Sequence, residues 1–248
     1  MLNSLLNKMG FQRKPLPALE AEFKNRVIEE EFWAIYKRCR DYTMTSPERM
    51  YSLYKAVKYV VKANLEGDFV ECGVWKGGSA MVIAHTLKTL GIMDREIFLY
   101  DTYEGMSEPS EHDMKNSTGD GDHVRKYWKE NQADGVNKWC YSALDEVRNN
   151  LENTGYPINH IHTIKGKVED MIPDTIPKKI SLLRLDTDWY ESTKHELIYL
   201  YPILSDKGVL IIDDYGSWAG AKKAVDEYFE ETPILLNRVD TTGRIGIK

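Results

Sequence analysis

Two hydrophobic rhythms follow one another along the chain. Residues 18–40 and 46–64 space their apolar positions at helical intervals, and in the second stretch Met50, Leu53, Tyr54, Val57, Val60 and Val61 fall on one stripe. Ser46 is placed to cap that helix, Pro47 suits its first turn, and Glu48 adds negative charge where the helix end is positive. Short apolar runs then take over. Residues 68–74 (DFVECGV), 96–101 (EIFLYD), 160–166 (HIHTIKG), 181–188 (SLLRLDTD) and 208–214 (GVLIIDD) read as strands. Helices fit 79–90, 192–204 and 219–231. This alternation predicts an α/β domain with a mostly parallel sheet covered on both faces. The chain ends differently: ILLNRVD, a turn at Thr241, Thr242 and Gly243, and RIGIK predict a β-hairpin, one strand of which runs against the other.

Residues 1–66 are therefore expected to form an N-terminal helical extension and lid, and residues 67–248 the main domain. Nearly sixty residues separate the second and third strands, more than a crossover requires. Within this excursion (107–159), the polar run 111–123 reads as a mobile loop and 141–155 as a helix ended by Gly155. Ligands of open α/β sheets bind at the carboxyl ends of the strands, where the excursion begins, so a substrate lid is expected there.

A length of 248 residues suits one full-sized α/β domain. The net charge of −6 argues against a broad nucleic-acid footprint. Cys39, Cys72 and Cys140 are scattered and odd in number, giving neither a disulfide framework nor a zinc spacing, which points to a reducing cytoplasm. The opening MLNSLLNKMGFQRK is compatible with a weak surface helix, but Asn and Lys interrupt its apolar residues. No signal-peptide core or membrane-spanning run is present in the sequence, and no membrane partner is expected.

Three motifs carry chemistry. Glu71-Cys-Gly73-Val74-Trp75-Lys-Gly77-Gly78-Ser79 leaves the first strand and enters a helix, where glycines and free N–H groups admit a ligand. A dinucleotide fingerprint requires glycine at position 75; Trp75 blocks close pyrophosphate approach, and Glu71 suits a cationic group rather than a phosphate. Asp101 ends the second strand, 30 residues after Glu71, where an acid can accept both ribose hydroxyls of an adenosine ligand. Asp186, Asp188, Asp213 and Asp214 end the fourth and fifth strands. Uncompensated carboxylates so close would repel one another, and a hard divalent cation, magnesium rather than zinc, would relieve the repulsion.

The stretches YTMTSPERM (42–50), GDFVECGVWKGGSA (67–80), YDTYEGM (100–106), LRLDTDWYEST (183–193) and GVLIIDDYGSWAGAKKAVDEY (208–228) together resemble the macrocin-type O-methyltransferases of the TylF/MycF kind. The resemblance implies a class I methyltransferase fold, Rossmann-like with a C-terminal antiparallel hairpin, and transfer of a methyl group from S-adenosylmethionine to a sugar hydroxyl with magnesium. It implies Asp186, Asp213 and Asp214 as metal ligands and Asp188 as general base. Glu71, Gly73, Val74, Trp75, Asp101, Thr102, Gly105 and Met106 would form the cofactor site, with Thr45 closing over it. A homo-oligomer joined through the N-terminal helices is also implied.

The residues leave other readings open. Methylation of a catechol-like diol would use the same metal chemistry. Asp186-Thr-Asp188 is a DxD pattern that also occurs in metal-dependent glycosyltransferases, although that reading explains neither the Glu71–Ser79 turn nor Asp213 and Asp214. A non-catalytic sugar- or nucleotide-binding protein would keep the fold and need no base.

Overall fold

The computed structural model describes residues 21, 23, 24, 27, 29–115 and 118–248. The expected surface helix at the extreme N-terminus, and part of the helix expected over 18–40, lie outside the described residues; within that range Val27 and Glu29 are not helical, Glu29 being extended, so the expected single helix is interrupted before Glu30. Helix α1 (Glu30–Cys39) leads through a short 3-10 turn into α2 (Pro47–Lys62). The second helix starts as its sequence requires: extended Ser46 accepts a hydrogen bond from the Arg49 N–H at 3.2 Å. Met50, Leu53, Tyr54, Val57 and Val60 are buried along its inner face, and Val61 is half-buried at the margin.

The remaining elements follow in order as β1 (Asp68–Cys72), α3 (Gly78–Thr89), β2 (Ile97–Asp101), α4 (Gly121–Glu130), β3 (Gln132–Ala133), β4 (Val136–Asn137) and α5 (Leu144–Glu152). They continue with β5 (Ile161–Lys165), α6 (Val168–Met171), β6 (Ile180–Leu185), α7 (Tyr190–Leu200), β7 (Leu204–Ile212), α8 (Ala219–Tyr228), β8 (Asn237–Arg238) and β9 (Arg244–Ile247). The main sheet has the order β5-β2-β1-β6-β7-β9-β8; its first five strands are parallel, and β9 runs antiparallel to both β7 and β8. The expected terminal hairpin is therefore present.

Successive side chains of a strand point to opposite faces, and the two cores follow that rule. Phe69, Leu99, Leu182, Val209 and Ile211 pack with α1, α2, α3 and α5 on one side. Val70, Tyr100, Leu183, Leu185, Leu210 and Ile212 pack with α6, α7 and α8 on the other. Helix α3 is buried all round from Gly78 to Leu87, which explains why it has no polar face.

Three further local readings are revised. The run expected as a helix over 192–204 stops at Leu200, because Leu204 pairs with Ile180 and begins β7 four residues before the expected strand. The excursion contains α4 and the β3–β4 hairpin, neither of which its polar composition suggested. Asp134 and Gly135 supply the two positive φ angles (54° and 77°) that a tight type I′ connection requires. The run 111–123 is also anchored within its first half. Asp113 is buried and accepts from the Ser110 and Tyr190 N–H groups at 2.7 and 2.8 Å, while Lys115 bridges to Trp218.

Candidate active site

The parallel strands deliver their carboxyl ends to one edge of the sheet, where a cavity of about 370 Å³ opens. Thr45, Glu71, Gly73, Val74, Trp75, Asp101, Thr102, Gly105, Met106, Asp186, Asp188, Asp213 and Asp214 all line it. The structure thus brings together every site residue singled out in the sequence.

The turn after β1 is held by the acid that ends β2. Asp101 Oδ2 accepts the N–H groups of Val74 and Trp75 at 2.7 and 3.0 Å, and Oδ1 accepts that of Tyr103 at 2.7 Å. Two acceptor sites on Oδ2 are therefore filled; the Thr102 hydroxyl lies 3.4 Å from Oδ1 but makes its shorter bond, 2.6 Å, to the Gly105 carbonyl, so Oδ1 keeps a site for a further hydroxyl. The same bonds occupy the Val74 and Trp75 N–H groups, which are then not free for a pyrophosphate. Gly73 has a φ of +85°, and a Cβ there would sit 2.0 Å from the Asp186 carbonyl oxygen. Its missing side chain lets the ends of β1 and β6 meet. Gly105, at φ +86°, makes the corresponding close approach to the Asn137 carbonyl.

Strand register explains the polar centre. Glu71 on β1 lies beside Arg184 on β6, and Arg184 beside Ile211 on β7, so the alternation places Glu71, Arg184 and Asp213 on one face. Arg184 Nη1 lies 2.5 Å from Glu71 Oε1 and 2.8 Å from Asp186 Oδ2, and Nη2 lies 2.7 Å from Asp213 Oδ1. Arg49, from the first turn of α2, pairs with Asp213 Oδ2. Two guanidiniums thus already oppose Asp186 and Asp213. The deficit is concentrated on Asp214 and Asp188. Asp214 Oδ2 is buried without a hydrogen-bond partner, and burial followed by the charges of Asp188 and Asp186 raises its carboxyl well above the usual range. Asp188 is raised by burial and by the charge of Asp186.

One oxygen each from Asp186, Asp213 and Asp214 lies within 4.8 Å of the others, and no other such group occurs among the described residues. An all-carboxylate set with an orphaned oxygen fits a hard divalent cation. Asp188 lies outside this set, at a φ of 67° that a non-glycine residue adopts only at a cost. The loop between Asp186 and Asp188 is tied down by Thr187, whose hydroxyl donates to Glu196 Oε1 at 3.0 Å.

The cavity walls include residues that the sequence reading passed over. Trp139 and Trp218 border the cavity, and together with Trp189 they form an aromatic cluster that joins the excursion to the turns after β6 and β7. Gly166 to Glu169, just beyond β5, line it beyond Asp101. Arg184 had a sequence signal, a charge inside a buried strand two residues before Asp186. Arg49 had only its place in the YTMTSPERM stretch.

The macrocin-O-methyltransferase (TylF) family model matches residues 34–245. The chain belongs to this family. As such it is an S-adenosylmethionine-dependent O-methyltransferase. The methyltransferase is 31% identical over 204 residues to the 8-demethyl-8-(2,3-dimethoxy-α-L-rhamnosyl)-tetracenomycin-C 4′-O-methyltransferase of Streptomyces olivaceus, covering 82% of this chain and 74% of that protein. It is 30% identical over 187 residues to the demethyldecarbamoylnovobiocin O-methyltransferase of Streptomyces niveus, covering 75% and 67%. The solved O-methyltransferase NovP superposes with a TM-score of 0.73 at 28% identity, covering 84% of this chain and 82% of that one.

Proposed function

We propose that this methyltransferase methylates a hydroxyl of a sugar, carried by a natural product, a nucleotide or a polysaccharide, and that it requires a divalent cation, magnesium by preference. The observation supporting the metal is the convergence of Asp186, Asp213 and Asp214 within 4.8 Å, with Asp214 Oδ2 left unpaired. Support for a sugar comes from the family and from the name of the S. olivaceus relative, which specifies an acceptor bearing a rhamnosyl group.

In this reading Asp186, Asp213 and Asp214 hold the cation, while bound S-adenosylmethionine supplies an electrophilic methyl group and the cation supplies Lewis acidity at the acceptor oxygen. Asp188 accepts the hydroxyl proton, and its burial raises the basicity of its carboxylate above that of a surface aspartate. Glu71 keeps one oxygen, Oε2, for a cationic group of the cofactor, and Asp101 Oδ1 takes a ribose hydroxyl. Val74, Trp75, Thr102, Gly105 and Met106 line the cofactor's path, Gly166–Glu169 continue it, and Thr45 covers it. Ser107, Lys138, Trp139, Cys140 and Tyr141 supply the acceptor-side wall, and Trp139, with Trp218 from the turn before α8, excludes water from the reacting groups.

That aromatic wall would also accept the flat ring of a catechol-like diol. Transfer of labelled methyl groups to glycoside and catechol acceptors, each with magnesium and with chelator, separates the readings. Labelled glycoside that disappears on chelation is the expected result. Turnover of catechols alone would refute the sugar assignment, and turnover indifferent to chelation would refute the metal assignment.

A further inference from the structure

We infer that Arg49 is a built-in counter-cation that competes with the divalent ion for Asp213 and so sets the affinity of the acidic site. The inference rests on the metal reading above. Arg49 is only 7% exposed. Its guanidinium joins two carboxylates that are remote in sequence: Nη1 pairs with Asp213 Oδ2, and Nε lies 3.1 Å from Asp240 Oδ2.

Asp240 is itself held in place. Its Oδ1 accepts the N–H groups of Thr242 and Gly243 at 2.8 and 2.7 Å, and Oδ2 accepts the Ser46 hydroxyl at 2.7 Å. The turn between β8 and β9 therefore offers Arg49 a second, fixed anion. Arg184 has no such choice. It lies in the central strand β6 and serves Glu71, Asp186 and Asp213 together.

Both oxygens of Asp213 are thus engaged by guanidiniums. A divalent ion at Asp186, Asp213 and Asp214 must share Asp213 with Arg49 or displace it, and it is repelled by that positive charge at short range in a weakly screened site. Two substitutions should then act in opposite directions. Removing the Arg49 charge takes away the competitor and tightens cation binding. Removing the Asp240 charge takes away the second anion, leaves the guanidinium wholly to Asp213, and weakens cation binding. If Arg49 served only to pack α2 against the sheet, neither change would tighten binding.

The test is Mn²⁺ binding, followed by electron paramagnetic resonance, to the full chain and to its Arg49→Gln, Arg49→Lys, Asp240→Asn and Asp214→Asn variants. Arg49→Gln is expected to lower the dissociation constant about tenfold, equivalent to about 1.4 kcal/mol. Arg49→Lys, which keeps the charge, should stay within about threefold of the parent, less than about 0.7 kcal/mol. Asp240→Asn should bind more weakly than the parent. An Arg49→Gln variant that binds no more tightly overturns the inference. Should that variant fail to fold, Asp240→Asn decides, and unchanged or tighter binding overturns it. The metal reading fails separately, and the inference with it, when the parent protein binds no Mn²⁺ or when Asp214→Asn binds it equally well.

Discussion

Replacing Arg184 by methionine keeps most of the side-chain volume and removes the charge at the centre of the site. Glu71, Asp186 and Asp213 lie 2.5 to 2.8 Å from its guanidinium, and the side chains of Arg184, Glu71 and Asp213 are at most 3% exposed. Deleting one partner of a buried ion pair typically costs about 3–5 kcal/mol, because the remaining charge stays buried and unpaired. The cost here should depend on pH. Burial pushes the Glu71 carboxyl up to about 7, against the opposing pull of Arg184. A carboxyl raised on folding destabilises progressively as pH rises from its unfolded value near 4.5 through its folded value. Without Arg184 the folded value climbs further, so the deficit of the variant should widen between about pH 5 and pH 8. Near pH 8 the expected loss of about 3–5 kcal/mol corresponds to a Tm lower by roughly 6–20 °C for a domain of this size. Urea unfolding of both proteins at stepped pH measures it. A loss below about 1 kcal/mol at pH 8, the scale of a surface ion pair, or a deficit that narrows as pH rises, would refute the reasoning.

Asp188→Asn should lower turnover by about 10²- to 10⁴-fold, the usual contribution of a positioned base, while calorimetric binding of S-adenosylhomocysteine is retained; turnover close to the parent would remove Asp188 from that role. Gly105→Ala must place a Cβ 1.8 Å from the Asn137 carbonyl oxygen at positive φ, and a loss of more than about 2 kcal/mol in urea unfolding is expected from backbone strain and the clash together. A near-neutral alanine would show that the excursion is not packed on that turn. Although burial opposes it, the Arg49 charge and the hydrogen bonds from Gly243, Ser46 and Thr242 hold the Asp240 carboxyl down at about 2. A depressed acid stabilises the fold above its unfolded value near 3.8, and that contribution, about 2 kcal/mol, is lost as pH falls from about 4 towards 2. The stability gap between the parent and Asp240→Asn should close over that interval, and a gap constant with pH would contradict the assignment.

The strands and the acids at their ends were legible in the chain itself. Runs such as FLYD, LLRLD and LIIDD combine the short apolar stretch of a buried strand with the carboxylate that follows it, and burial and strand length are local properties. The cap at Ser46 and the stripe of α2 were readable for the same reason. The excursion was less so, because α4 buries only Val124 and its polar surface resembles that of a loop.

What the chain alone determined is therefore the doubly covered parallel sheet and the row of acids at its carboxyl edge. What only the tertiary structure decided is how those acids are neutralised. Arg184 reaches Glu71 through strand register, and Arg49 reaches Asp213 across 164 residues. Asp101 spends three of its acceptor positions on the backbone of neighbouring turns. Residue spacing shows where a charge will lie along one strand. Which counter-charge it meets depends on the pairing of β1, β6 and β7 and on the docking of α2 beside them, because electrostatic partners are chosen by distance in space rather than by separation along the chain.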